Sequence, residues 1–542
     1  MNFIECESTE KLRGGYYTHA DVVEFLTQWV LQARPRRILE PACGDGGFFE
    51  AIVRLGANGV ESIVGCEIFS DEAEKARKRG RSLQGATVDV FAEDFLKWAL
   101  ARLPDGSSFD AVLGNPPFIR YQYLDARLQE RAEQLFRHFN LAFTKHTNAW
   151  VPFVVASLAL LRPGGRLAMV VPSELLHILH ARSLRSFLCR QCSRILVLDP
   201  QEIWFEQTLQ GVVLLMAEKR EDFDSGDAQL ALVSIKDRTA LADPPQEHFR
   251  RADFFPATQL NGKWMLGLLS RGERALLERL AAHPTIRPFR ELASVDVGIV
   301  TGANKFFLVS EAVVREYGLE PWAHPMFGRS EHVDGVIYDK RCHRRNQERG
   351  LPANFLWFKD RPLSALPASA RRYIHAGEAQ GLHRRFKCRI RTPWYNVPSV
   401  YAAPVAMLKR AHHFPRLILN TAKAFTTDTA YRILPRTGRA SDLVIGFVNS
   451  LTALSAELEG RHYGGGVLEL VPSEIERLLV PSVRHTAAVL RRLDKVIRSR
   501  TTAEDLLAGQ DQILLEPMGI RRPDCEAILA AWMRLRARRQ RT

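Results

Sequence analysis

No apolar run in this chain is long enough to cross a bilayer. The longest, Trp150 to Leu161, stops at Arg162-Pro163-Gly164-Gly165, well short of the roughly 20 residues a spanning helix needs. Its beginning lacks the charged-then-apolar pattern of a secretory leader. A disulfide framework is missing as well: the eight cysteines among 542 residues are mostly scattered, which fits a reducing compartment. Cys189-x-x-Cys192 has no second pair to complete a zinc site and reads as two helix-face thiols, so no metal is expected. Neither a repeat, a low-complexity tract nor a Pro-Asp…Glu-x-Lys nuclease arrangement is found. These absences predict a soluble, cytoplasmic protein with no membrane partner and no fused nuclease.

Charge of one sign is scarce in only part of the chain. Basic and acidic residues balance over residues 1–220, so the whole net charge of +14 lies in 221–542. A neutral first part joined to a basic second part suggests a catalytic module attached to a polyanion-binding module. Length points the same way, since 542 residues exceed one typical core.

From Tyr16 to about Lys219, short β-rich runs alternate with amphipathic stretches. Arg37–Glu40, Ser62–Glu67, Asp110–Leu113, Arg166–Val171, Ile195–Leu198 and Gly211–Ala217 read as strands, with helices over Phe48–Leu55 and Asp71–Gly80. Such alternation predicts a parallel sheet with helices on both faces. The last two strands flank Phe205–Gln210 closely enough to pair as an antiparallel hairpin. The polar stretch Asp222–Asp227 begins a linker, here set at 221–250. Beyond it the pattern becomes irregular and Arg-rich.

Chemistry concentrates at strand ends. After Ile38-Leu39-Glu40 come Pro41-Ala42-Cys43-Gly44-Asp45-Gly46-Gly47, small residues that let a ligand approach the backbone. About twenty residues on, the next strand ends in Glu67, placed to grip a ribose diol. Ala92-Glu93-Asp94-Phe95 offers an acceptor and an apolar side chain for an adenine ring. Then Asn115-Pro116-Pro117-Phe118 follows an apolar strand. Its prolines stiffen the turn and present an Asn amide, the Pro116 carbonyl and an aromatic face. That cluster suits a flat molecule with an exocyclic amine. Upstream, Thr18 precedes a helix with Asp21 at the capping-box distance.

In the order of these motifs the chain resembles the class I S-adenosylmethionine-dependent methyltransferases, and among them the gamma-class (TaqI-like) adenine-N6 DNA methyltransferases, from about residue 14 to 220. The resemblance implies an α/β fold: a Rossmann-like, mostly parallel sheet with an antiparallel last strand (1–220), then a mixed α+β target recognition domain (251–500). A basic helical segment closes the chain (501–542). It implies S-adenosyl-L-methionine as cofactor, with Thr18, Glu40, Pro41, Ala42 and Gly44 around its methionine part. Glu67 would hold its ribose, Ile68 would lie against its adenine, and Asp94 and Phe95 would bind the adenine edge. Asn115, Pro116, Pro117 and Phe118 would hold the target base. Leu215 or Met216 falls where the family carries a second aromatic against the flipped base.

The implied reaction places a methyl group on N6 of an adenine flipped out of double-stranded DNA. The setting is bacterial or archaeal and nucleoid-associated, and a separately encoded restriction endonuclease or defence-complex subunit would be a further partner. Val297–Phe307 looks like the start of a recognition region, and Arg391, Trp394, Tyr395, Lys409, Arg410 and His462–Gly466 have the character of groove and phosphate contacts. One rival keeps the chemistry but methylates rRNA guanine N2 or a protein glutamine amide. Another is a catalytically inert DNA-binding subunit on the same scaffold.

Overall fold

The computed structural model describes residues 18–541 apart from 57, 84, 107, 120, 145–146, 179–180, 205–210, 222–225 and 261. Gly14–Tyr17, the Phe205–Gln210 connection and the start of the polar stretch at 222 lie outside the described residues. The chain forms two compact units, one ending at Leu268 and one running Leu269–Gln540.

The first unit is built on a nine-stranded sheet of order β3-β2-β1-β4-β5-β7-β6-β8-β9. The strands are β1 (Arg37–Glu40), β2 (Ser62–Cys66), β3 (Thr87–Phe91), β4 (Phe109–Gly114), β5 (Leu161–Pro172), β6 (Cys192–Pro200), β7 (Val212–Lys219), β8 (Gln229–Ile235) and β9 (Phe255–Pro256). β3, β2, β1, β4 and β5 run parallel, and β7 lies antiparallel between β5 and β6. β4 is buried along its whole length, as a strand covered on both faces must be. Helices α1 (Ala20–Leu31), α2 (Gly47–Leu55), α3 (Ser70–Gly80) and α4 (Phe95–Leu100) connect or flank the first strands. One buried carboxylate ties two of them together: Asp110 accepts from the Arg36 and Arg37 backbone N–H groups, both at 2.7 Å.

Two expectations change here. The antiparallel β7 is not where the sheet ends: β8 continues it in parallel with β6, and the last strand is β9, antiparallel to β8. The first unit therefore extends past residue 220, and 221–250 is not a linker. The signal was present in Gln229–Ile235, whose apolar residues the acidic stretch before it obscured. The helix Pro245–Arg251 also belongs to this unit: Phe249 stacks on Trp29 of α1 at 5.4 Å.

The second unit is mixed α+β, with a five-stranded sheet, a four-stranded sheet, two smaller sheets and several helices. The Arg-rich end of the chain is not a separate or frayed segment. Helix Arg522–Arg539 packs on helix Ser450–Glu459, and Arg539 forms a fully buried pair with Glu457 (Nη2–Oε1 2.7 Å, Nε–Oε2 2.9 Å). Arg534 donates to Glu273 at 3.0 and 2.7 Å. Half-buried charges of this kind cannot be told from solvated ones by composition.

Removing one partner of a buried pair strands the other charge, which costs about 3–5 kcal/mol. Arg539→Met should therefore shift the urea midpoint of the second unit strongly downward. Arg522→Ala, which breaks an exposed pair with Glu526, should leave it nearly unchanged. Tryptophan fluorescence during urea unfolding checks both.

Candidate active site

The parallel strands β2, β1 and β4 end side by side. Register pairs Glu40 with Gly65 across β1 and β2, and Leu39 with Val112 across β1 and β4. Strand order reverses between β1 and β4, and such a reversal opens a crevice beyond the carboxyl ends of the strands. Glu40, the Pro41–Gly46 loop, Glu67 and Asn115 are all carried to that crevice.

The loop after β1 is held in place by both neighbours. Cys43 N–H donates to the Cys66 carbonyl at 3.0 Å, and Gly46 N–H to the Cys43 carbonyl at 2.8 Å. Gly46 has φ 89°, and a Cβ there would sit 2.8 Å from Ala76 Cα of α3. Glycine is required twice over, by conformation and by that close approach. Asp45 pairs with Arg79 of the same helix at 2.8 Å.

Glu67 braces the loop from β2. Its Oε2 accepts from Gly44 N–H at 3.1 Å and its Oε1 from Phe69 N–H at 2.9 Å. Burial raises its pKa, against those two bonds. Glu40 is more extreme: it is 2% exposed, and its Oε2 is buried with no hydrogen-bond partner among the described residues. Burial, then Asp45 and Glu67, hold its carboxyl well above the usual carboxylate range. A buried carboxyl oxygen without a donor is a site for a ligand's ammonium or N–H group. Past β2, Ile68 is 58% exposed and offers an apolar surface over the crevice edge.

Asn115 follows Gly114, the last residue of β4, and donates from Nδ2 to Thr18 Oγ1 at 3.1 Å. The capping role of Thr18 is not realised. The N-cap of α1 is His19, without a side-chain cap, and Asp21 accepts from Val22 N–H instead. Thr18 thus serves Asn115 rather than its own helix. Its neighbour His19 contacts the Trp204 carbonyl through Nε2 at 2.7 Å, joining the ends of β4 and β6 through one dipeptide. Sequence gave no sign of His19, because its partner is 185 residues away. Pro116 is buried, while Pro117 and Phe118 are half-buried, and Phe118 packs on the main core.

Asp94 and Phe95 are placed differently from the expectation. Asp94 caps α4 by accepting from Leu96 N–H at 2.8 Å, and its other oxygen pairs with Arg131. The Phe95 ring is 2% exposed, packed against Trp98 and Phe153. A ligand could meet Phe95 only through its backbone N–H, in the first helical turn where amides lack intrahelical partners. Leu215 and Met216 are wholly buried in β7, so neither reaches a ligand. Cys189 and Cys192 are free thiols, one half-buried and one buried.

Strand order, loop and acidic strand end together define a class I S-adenosylmethionine-dependent methyltransferase. Two family models match: one described as Eco57I restriction-modification methylase, over residues 65–203, and one described as Type II methyltransferase M.Eco57I, C-terminal domain, over residues 261–515. The Type II methyltransferase M.AccI of Acinetobacter calcoaceticus is 20% identical over 479 residues, 85% of this chain and 84% of that protein. M.XamI of Xanthomonas campestris pv. amaranthicola is 24% identical over 508 residues, 88% and 86% of the two chains. Among solved structures, the type IIG restriction endonuclease BpuSI is 14% identical with a TM-score of 0.44, over 97% of this chain and 66% of that one. The DrdV–DNA complex gives 12% identity and a TM-score of 0.48, over 78% and 49%. The chain therefore spans less than two thirds of each of these two solved proteins. It is a gamma-class-like DNA methyltransferase of the class I superfamily, and its cofactor is S-adenosyl-L-methionine.

Because burial raises the folded-state pKa of Glu40, its contribution to cofactor-free stability is intact below its unfolded value near about 4.3 and lost as pH rises through the folded value. Glu40→Gln should raise the melting temperature of the cofactor-free protein at about pH 8 and shrink the gain on adding S-adenosylmethionine. A gain equal to that of the wild type would remove Glu40 from the cofactor site.

Proposed function

We propose that the protein is a Type II restriction-modification methyltransferase that modifies N6 of adenine in double-stranded DNA. The observation that carries this reading is Asn115. It stands at the carboxyl end of β4 beside the loop braced by Glu67, and its amide is oriented by the bond from Nδ2 to Thr18. That bond commits the nitrogen side of the amide as donor and leaves the oxygen the acceptor's part. The Pro116 carbonyl is the second acceptor.

When bound, S-adenosylmethionine would supply the electrophilic methyl group and keep the electron pair of the broken S–CH3 bond on its sulfur. Glu40 and the Pro41–Gly44 backbone would hold its methionine portion, Glu67 its ribose, Ile68 one face of its adenine, and the N-terminal turn of α4 the edge of that ring. The exocyclic nitrogen of adenine is a poor nucleophile because its lone pair is delocalised into the ring. Accepting both of its protons, at Asn115 and Pro116, favours a pyramidal nitrogen with a localised lone pair. As the new N–C bond forms, that nitrogen sheds one proton, which passes to water. Positioning supplies most of the rate, and the two fixed acceptors supply electrostatic stabilisation.

Reaching the atom requires flipping the base out of the duplex, at a cost of a few kcal/mol. Stacking on Phe118 offsets on the order of 1–3 kcal/mol. The family models that match both parts of the chain, and the Type II methyltransferases that match most of its length, support DNA over rRNA or a protein amide as substrate. A Glu40 oxygen without a donor among the described residues, and an oriented Asn115, also speak for an active enzyme rather than an inert subunit. The second unit would then select the DNA site.

Asn115→Ala should reduce methyl transfer to duplex DNA by at least about 100-fold while cofactor affinity, read by calorimetry, changes little. Full activity in that variant would sink the mechanism.

A further inference from the structure

Of the basic stretches in the second unit, most are already neutralised. Lys409 and Arg410 share the buried Glu469, at 3.2 and 2.7 Å. Arg391 is spent on the protein's own backbone, donating to the Val300 and Thr301 carbonyls, both at 2.7 Å. Tyr395 is 2% exposed, with its hydroxyl on the Arg361 carbonyl. Trp394 donates to Glu378 at 3.0 Å, and His462 sits at 3.5 Å from Glu457. Among these, the Arg410 side chain, 66% exposed, and Tyr463, at 37%, keep sizeable exposed faces. Most of these side chains are engaged within the unit itself.

One short segment behaves differently. Between the turn Leu382–Arg384 and the helix Phe386–Arg389, Arg384, Arg385, Lys387 and Arg389 are all exposed. None of the four has a carboxylate partner among the described residues. Two large apolar side chains stand among them, Phe386 at 63% and Ile390 at 64% exposure, the highest of any large hydrophobic residue described. Lys387 and Arg389 lie over the Phe386 ring at 5.7 and 5.4 Å. Burying such side chains in water-excluded contact is favourable, so leaving both in solvent beside four uncompensated cations is a cost without a partner.

The segment is mounted rigidly. Leu382 and Cys388 are buried in the aromatic core beneath it. Its other side rests on the Val297–Phe307 stretch: Gly302, at φ 78°, would place a Cβ 2.6 Å from Lys387 Cβ, and Arg391 clamps the same loop by two carbonyls. Exposed Lys305 and Val300 continue the surface. Gly302 is thus needed to seat the basic helix, which gives the Val297–Phe307 stretch a supporting role.

We infer that residues 384–390, seated on the Gly298–Asn304 loop, form a duplex-DNA contact element, with Arg384, Arg385, Lys387 and Arg389 on phosphates and Phe386 with Ile390 entering a groove between them. Cations without carboxylates match a phosphate backbone. An apolar tip flanked by cations suits a thymine methyl or a loosened base step. An RNA duplex fits poorly, because its deep, narrow major groove does not admit such side chains. This inference rests on the reading of the chain as a DNA methyltransferase.

The test uses the full chain, a short fluorescein-labelled DNA duplex of mixed sequence and its RNA counterpart, over a range of salt. Arg384→Ala/Arg385→Ala and Lys387→Ala/Arg389→Ala should each weaken DNA binding by roughly tenfold or more at low salt and make the log–log salt slope shallower by about 2. Phe386→Ala should weaken binding with the slope unchanged. Cofactor affinity and melting temperature should match wild type in all three, as expected for exposed positions. Wild-type affinity and slope in both double variants, while wild type still methylates DNA, would overturn the element alone. A wild-type chain that neither binds nor methylates DNA, or prefers the RNA duplex, would overturn the function reading with it.

Discussion

The parallel register of β2, β1 and β4 determines where everything chemical in the first unit can be. Ile38 pairs with Ile63 on one side and Ala111 on the other, so three strands end level with one another at the point where sheet order reverses. Each ending then delivers what the others lack: β1 a loop of small residues and a buried carboxyl, β2 a carboxylate that grips that loop, β4 an oriented amide. Slipping β4 by one residue would turn its wholly buried side chains over and carry Asn115 away from Thr18. The Asp110 carboxylate, bonded to the backbone where β1 begins, resists that slip.

Fold class was legible because strands in the first part are short, apolar and separated by recognisable helices. What was not legible depended on partners far away in sequence. β3 and β8 carry mixed side chains, Thr87-Val-Asp-Val-Phe91 and Gln229-Leu-Ala-Leu-Val-Ser-Ile235, and only pairing with β2 and β6 declares them strands. The site shows the same division. Glu40, Glu67 and Asn115 announce themselves as polar residues at the ends of apolar strands. Asp94 was read as a ligand acceptor, but its partner Arg131 stands 37 residues on, and nothing local reveals that pair. Thr18 was read as a cofactor contact that could also cap its helix; the cap is not formed, and its hydroxyl accepts from Asn115 instead.

Charge in the second unit illustrates why composition is a weak guide to contact surfaces. The excess of basic residues is real, yet Arg391, Lys409, Arg410, Arg534 and Arg539 are bound up in carbonyl or carboxylate contacts. Counting arginines therefore overstates the surface that could meet a polyanion. What distinguishes a contact element is uncompensated charge on a rigid mount. The segment around Phe386 combines that with exposed apolar side chains, whereas the C-terminal helix, though richer in arginine, is largely neutralised by its own unit.

In the proposed function one oriented amide, at the end of β4, marks adenine in DNA at a defined site. Expression in a host free of adenine methylation, followed by mapping of N6-methyladenine across its genome, tests this most directly. One recurrent short sequence should be modified throughout, with no signal from a chain carrying Asn115→Ala. A blank DNA map, with the methyl group found instead on rRNA guanine or a protein glutamine, would contradict it.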